Sequence, residues 1–359
     1  MLIKIKKHMQ EENFDFEEYE KTLKSKPDYI LDQCYDMIMH ISEDSIISLY
    51  TSFDNFLFQD IDYGKVISIM PKWVADTGIS PESACDKDSF EKLKSTFSHP
   101  YLNRFIYYYD VWSLIAAVQD RLQAVEYFMR DFYSSIPCFL KYDKKKYTSC
   151  IRVGGISSTN AFVSLNSIFV SLASVFDLLS KIAVEQYKFG QYDFSKYKKM
   201  KSESVLYNYT YNDINPTLKG KGGLFSAPLC VRKILTFRNE YIHNGPWDLR
   251  CSIYETCIED NPADIIVYSP DMDEYGNFVT SGSRDKFYSQ GNMINIQLPH
   301  LVMDTLDVIQ KTIDEIVVLY SQETTRTEDE NLTKECIDEI TMYYESLKND
   351  TCQLLTPKK

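Results

Sequence analysis

Apolar residues recur at helical spacing over most of this chain, in long runs set apart by polar, turn-forming stretches. From Leu102 to Tyr133, residues such as Val111, Ile115, Val118, Leu122 and Val125 repeat every three or four positions with few breakers, and Pro100 stands just ahead. At ~3.6 residues per turn these fall on one face and predict a single helix of about eight turns. A second run, Ser158 to Tyr187, carries Leu165, Phe169, Leu172, Phe176 and Leu179 on its stripe, with Asp177 and Lys181 off it. The third, Cys230 to Trp247, is announced by Ser226 and Pro228 and ended by Asn244-Gly245-Pro246, a cap, a first-turn proline and a stop. Pro299 opens a fourth, Leu301 to Tyr320.

Outside these runs the pattern changes. Residues 27–58 fit one long or two short amphipathic helices, and a charged linker after 322 leads to a last helix at about 332–348. Between 250 and 298, Ile265–Tyr268, Asn277–Thr280 and Met293–Leu298 cluster strand-forming residues around an Asp273-to-Gly276 turn, which predicts a hairpin or three-stranded insert. The fold class is therefore mainly α: an up-and-down helical bundle at 100–322 with a small β insertion, an N-terminal helical region at 1–96, and a linker and helix at 323–359.

The third helix holds the chemistry. On the helical wheel Val231, Ile234, Leu235, Arg238 and Ile242 share a stripe, with Tyr241 at its edge. Arg238 thus sits among apolar residues, and a guanidinium cannot shed its charge, so it requires a carboxylate, a phosphate or an interface that stays partly wet. Asn239 and His243, four apart, share the flank beside that stripe.

Composition narrows the field. Lys and Arg number 39 against 52 Asp and Glu, a net charge of −13, which argues against a general nucleic-acid coat or a binder of anionic membranes. The 9 scattered cysteines, with no Cys-x-x-Cys, read as reduced thiols of a cytosolic protein. The 5 histidines are far apart, so no metal spacing is present. The most apolar run, Phe162 to Val184, is interrupted by Ser, Asn, Asp and Lys, which counts against a membrane span. Lys219 to Gly223 lacks Walker spacing and reads as a flexible connector. The basic stretches 141–147 and 196–201 read as solvated surface that could also meet RNA.

Four long helices with Arg238, Asn239 and His243 at the end of the third resemble the HEPN superfamily (higher eukaryote and prokaryote nucleotide-binding). Its mark is an Arg, four to six residues and then a His, often with a polar residue directly after the Arg. The resemblance covers roughly residues 100–322. It implies an endoribonuclease that needs no metal or cofactor and acts as a homodimer, its two motif helices facing each other. His243 would serve as general base or acid for attack of an RNA 2′-OH on the adjacent phosphate, leaving a 2′,3′-cyclic phosphate. Arg238 would hold the phosphate and stabilise its developing charge, and Asn239 would orient one or the other. A role as a toxin or antiviral effector, with an antitoxin or regulatory partner, is the setting implied. Asp177 and Lys181 are candidates for a supporting pair. Some relatives carry a Tyr two residues after the His; Gly245 stands there, so modification of such a Tyr is not implied.

The residues also admit plainer accounts. His243 can act as a helix C-terminal cation, Arg238 can pair with Asp177 or Glu185, and Asp177 can pair with Lys181 along its own helix. The alternative function is a non-catalytic nucleotide- or protein-binding bundle, or an assembly scaffold.

Overall fold

The computed structural model describes residues 27–68, 87–88, 91, 100–136, 149–196, 213–248, 250–258 and 261–349. The acidic stretch at 11–20, the turn-rich stretch from Thr77 as far as Asp86, the basic stretch 141–147 and that at 196–201 beyond Lys196 lie outside them. The chain is mainly helical with one small antiparallel sheet.

Helix α1 (Pro27–His40) runs through a π-helical turn (Ile41–Ser45) into α2 (Ile46–Leu57), the backbone staying right-handed helical at both junctions. The two segments are thus one rod with a π-bulge, where one extra residue is absorbed without breaking the helix. A short α3 (Tyr63–Ile67) is capped by Asp62, whose side chain accepts from Lys65 N–H. Then come α4 (Pro100–Ser135), strand β1 (Ser149–Val153), α5 (Ile156–Lys188), α6 (Leu229–His243), strands β2 (Ile253–Ile258) and β3 (Asn261–Ile266), α7 (Ile294–Glu323) and α8 (Glu330–Asn349).

These elements form two compact units, each drawn from three stretches of chain: 1–39, 125–170 and 229–307 in the first, 40–124, 171–228 and 308–359 in the second. The first has a core that includes Met129, Phe132, Phe162, Leu165, Phe237 and Val302. In the second, Phe53, Tyr107, Tyr108 and Tyr320 make a cluster of aromatic rings, with Phe53 stacked on Tyr108 at 5.7 Å. Buried Glu185 is satisfied there by the hydroxyls of Tyr192 at 2.6 Å and Tyr107 at 3.2 Å.

The sheet has the order β1-β2-β3, so its edge strand precedes α5 and only two strands come from the 250–298 region. Strand β2 escapes the alternation rule because a bulge at Thr256/Cys257 shifts the register and buries both residues in succession. Asn277–Thr280 forms only an isolated bridge, Met272 to Phe278.

Met293–Leu298 is not a strand: α7 begins at Ile294 and continues through Pro299. The Asn295 side chain makes this possible, accepting from Val267 N–H at 3.0 Å and donating to the Ile265 carbonyl at 2.9 Å beside the end of β3. Proline has no N–H to give the carbonyl four residues back, and that carbonyl, on Asn295, accepts from the Tyr133 hydroxyl at 2.8 Å.

Residues 213–228 form ordered 3-10 turns and not a loose connector, because Leu218, Leu224 and Phe225 are buried and Leu224 N–H donates to Thr312 Oγ1 at 2.9 Å. The stretch Ile156–Gln191 is, contrary to expectation, long and apolar enough to cross a membrane by length and composition. Most of it is buried within the protein, and Ser164 and Ser180 donate to carbonyls of their own helix, which hides their polarity.

Candidate functional site

Helix α6 stops where the sequence says it should. Asn244 N–H donates to the Glu240 carbonyl at 2.8 Å, and Gly245 adopts φ 87°, a left-handed conformation that costs glycine little. Its start differs from expectation: Ser226 Oγ accepts from Gly222 N–H and donates to the Gly223 carbonyl, closing a 3-10 turn and not capping α6.

The buried face of α6 is also rotated from the predicted stripe. Cys230, Val231, Ile234, Phe237 and Glu240 are buried, whereas Ile242 is 49% exposed and Arg238 lies half-buried on the shoulder. The cause is Trp247, which the reversal at Gly245 returns against the helix. Its ring meets Phe237 at 5.1 Å and Tyr241 at 5.2 Å, and Phe237 stacks on Phe169 at 4.6 Å. Three large rings bury more apolar area than Leu235 and Ile242 would, so they select the face. Glu240 is drawn in with them, its charge met by Lys286 Nζ at 2.5 Å and by Asn244 Nδ2 at 2.9 Å.

On the shoulder, Arg238 Nη1–H donates to Asn239 Oδ1 at 2.9 Å. Consecutive helical positions lie about 100° apart, so the long guanidinium side chain has bent towards the Asn239 and His243 flank. Asn239 and His243 are both exposed, and His243 is the last residue of the helix. The geometry therefore brings a guanidinium and its neighbouring amide to the flank that also carries an imidazole.

Asp177 and Lys181 pair with each other at 3.2 Å along α5, as the plainer of the two readings expects. Glu185, the other acid considered for Arg238, is held by the two tyrosines described above.

Two cavities open in the first unit, and neither was found from the sequence. One, of about 570 Å³, is lined by the charged side chains Arg152, Arg250 and Asp248 and by aromatic rings that include Tyr254, Tyr268 and Tyr288. Burial, followed by the nearby charge of Asp248, pushes the Tyr288 hydroxyl up to about 12. The other, of about 390 Å³, meets Cys230, Lys233, His300 and Asp304. Burial pushes the Cys230 thiol up, which disfavours its thiolate form. The signal for the first cavity was one of register: antiparallel pairing sets Arg152 opposite Tyr254, 102 positions later in the chain, and no local spacing announces that.

Among the described residues, no group of three or more His, Cys, Asp and Glu side chains is placed to hold a metal ion. Comparison with protein-family models, curated proteins and solved structures finds no match for this chain.

Proposed function

We propose that this protein is a HEPN-type endoribonuclease whose site is Arg238, Asn239 and His243, completed by a second copy of the chain. The observation that carries the reading is the bend of Arg238 towards Asn239: a guanidinium, a group suited to phosphate, lies towards the flank that also carries the imidazole of His243. In the reaction, the RNA 2′-oxygen bonds to the adjacent phosphorus while the bond from phosphorus to the 5′-oxygen breaks. One His243 takes the 2′-OH proton, and the protonated His243 of the second copy gives one to the leaving 5′-oxygen. Arg238 meets the charge that builds on the non-bridging oxygens. The half-exposed Ile242 beside the site supplies apolar surface for a two-fold contact.

The test is cleavage of single-stranded RNA by the purified full chain, with end-group analysis for 2′,3′-cyclic phosphate. Arg238→Ala and His243→Ala are each expected to slow cleavage by roughly 100-fold or more without altering the circular dichroism spectrum. RNA left intact by the wild type, or cut equally well by both variants, overturns the proposal.

A further inference from the structure

We infer that the cavity framed by Arg152, Arg250, Tyr254, Tyr268 and Tyr288 is a nucleotide subsite, taking one base of an RNA strand against its tyrosine rings and the adjoining phosphate on its guanidinium groups. The inference rests on the ribonuclease reading for the strand, though not for the chemistry of the cavity.

Its aromatic walls are held in place through their polar ends. The Tyr288 hydroxyl donates to the Trp247 carbonyl at 3.0 Å, which fixes the ring while leaving it 47% exposed. Trp247 Nε1–H donates to the Tyr268 carbonyl at 2.9 Å, and the Tyr268 ring meets Tyr254 edge-on at 5.2 Å. With the Tyr288 hydroxyl and the Trp247 ring N–H committed to the scaffold, the Tyr288 wall offers a ligand chiefly its ring surface. Every nucleobase has a flat π-face that stacks on such surface.

The charges are presented in the same way. Arg152 Nε–H donates to Ser252 Oγ at 2.7 Å, and neither Arg152 nor Arg250 has a carboxylate ion-pair partner among the described residues. The Arg152 terminal nitrogens have no partner there either. Asp248 also lines the cavity, and its carboxylate is engaged in the turn that carries Arg250: its Oδ1 accepts from Arg250 N–H at 2.9 Å, its carbonyl accepts from Cys251 N–H at 3.0 Å, and Cys251 takes φ 46°. Two exposed guanidinium groups beside fixed rings match a phosphate joined to a base. A simple carboxylate would leave the rings unused. At about 570 Å³ the cavity lies within the roughly 300–1,000 Å³ usual for small-molecule sites.

The strand is favoured over a free nucleotide by position. Trp247 lines the cavity and follows His243 by four residues, a span of at most about 14 Å at ~3.5 Å per residue. A strand seated in the cavity therefore passes close to the end of α6.

The test measures binding of a fluorescein-labelled 12-nucleotide single-stranded RNA by anisotropy, and of 5′-AMP by calorimetry, using the full chain carrying His243→Ala so that the RNA survives. Arg152→Gln with Arg250→Gln, and separately Tyr288→Ala, are each expected to weaken RNA binding about tenfold or more. Arg121→Gln, at an exposed arginine of α4, is expected to leave it unchanged. Tyr288→Phe keeps the ring and loses only its anchor, so it should bind far better than Tyr288→Ala; equal losses would mean structural damage and overturn stacking. RNA binding well tighter than AMP binding supports the strand, whereas equal affinities assign the cavity to a free nucleotide and overturn the strand. Binding untouched by the arginine pair overturns the cavity altogether. If the chain with an intact His243 cleaves RNA and the arginine pair does not affect cleavage, the cavity fails and the ribonuclease stands. If RNA binds through the cavity and is never cut, the cavity stands and the ribonuclease fails.

Discussion

Asp54 on α2 shows what a single side chain can do to stability. Burial lifts its carboxyl from 3.8 to about 6, opposed by a hydrogen bond with Tyr108, whose hydroxyl in turn accepts from Tyr63 at 2.7 Å. The folded chain thus holds this proton more tightly than the unfolded chain does. Its contribution to stability is fully present below about pH 4 and is lost as the pH rises through about 6. The displacement corresponds to at most about 3 kcal/mol, and to less in practice because the side chain is partly exposed to solvent. Asp54→Asn should therefore raise the midpoint of chemical unfolding at pH 8 by the equivalent of about 1–2 kcal/mol and leave it unchanged at pH 4. A lower midpoint at pH 8 would show that the ionised carboxylate is needed as an acceptor. At this same scale the site is unevenly legible. Arg238, Asn239 and His243 could be read as a group because they lie within six consecutive positions. Arg152 and Tyr288 could not, since only strand pairing and the hydroxyl contact to Trp247 bring them to one cavity.

Among the elements, α6 separates what periodicity reveals from what it does not. Its end follows from the Asn-Gly stop directly after it, but its start does not use the Ser226 cap, and its buried face is chosen by Trp247, which the chain reversal brings back. Periodicity treats Leu235 and Ile242 as core, and the indole displaces them. Similarly, Pro299 reads as a helix start until Tyr133, from a distant helix, is seen to occupy the carbonyl that proline leaves unmet. The displaced face makes a specific prediction. Ile242 is half in water in the single chain, so Ile242→Glu should change folding stability by no more than about 0.5 kcal/mol. On the two-fold model it places like charges opposite each other, and should convert a dimer to a monomer by light scattering while abolishing RNA cleavage. A wild type that is monomeric at micromolar concentration would remove the dimer from the proposal.

Over the whole molecule, the mainly helical class and the small sheet were legible, because long amphipathic runs dominate the composition of the chain. The assembly of each unit from three separate stretches was not: the first depends on contacts such as Cys34 Sγ–H to the Pro299 carbonyl, 265 positions apart. Net charge acts at this scale too. A chain of −13 repels RNA except where guanidinium groups cluster, so few phosphates can be neutralised at once. With Arg152, Arg250 and Arg238 as the contacts, binding should fall with salt at a log–log slope of about 2, at ~0.7 per phosphate on single strands. A slope of about 5 or more, corresponding to roughly seven phosphates, would assign binding to a different and more extensive basic surface. One contact described above governs what such an enzyme would leave behind. Trp247 is clamped at its ring nitrogen by Tyr268 and at its carbonyl by Tyr288, which ties the cavity to the end of α6. The molecule would then cut at a constant offset from the base it grips, so that base, and not those at the broken bond, would decide where the strand ends.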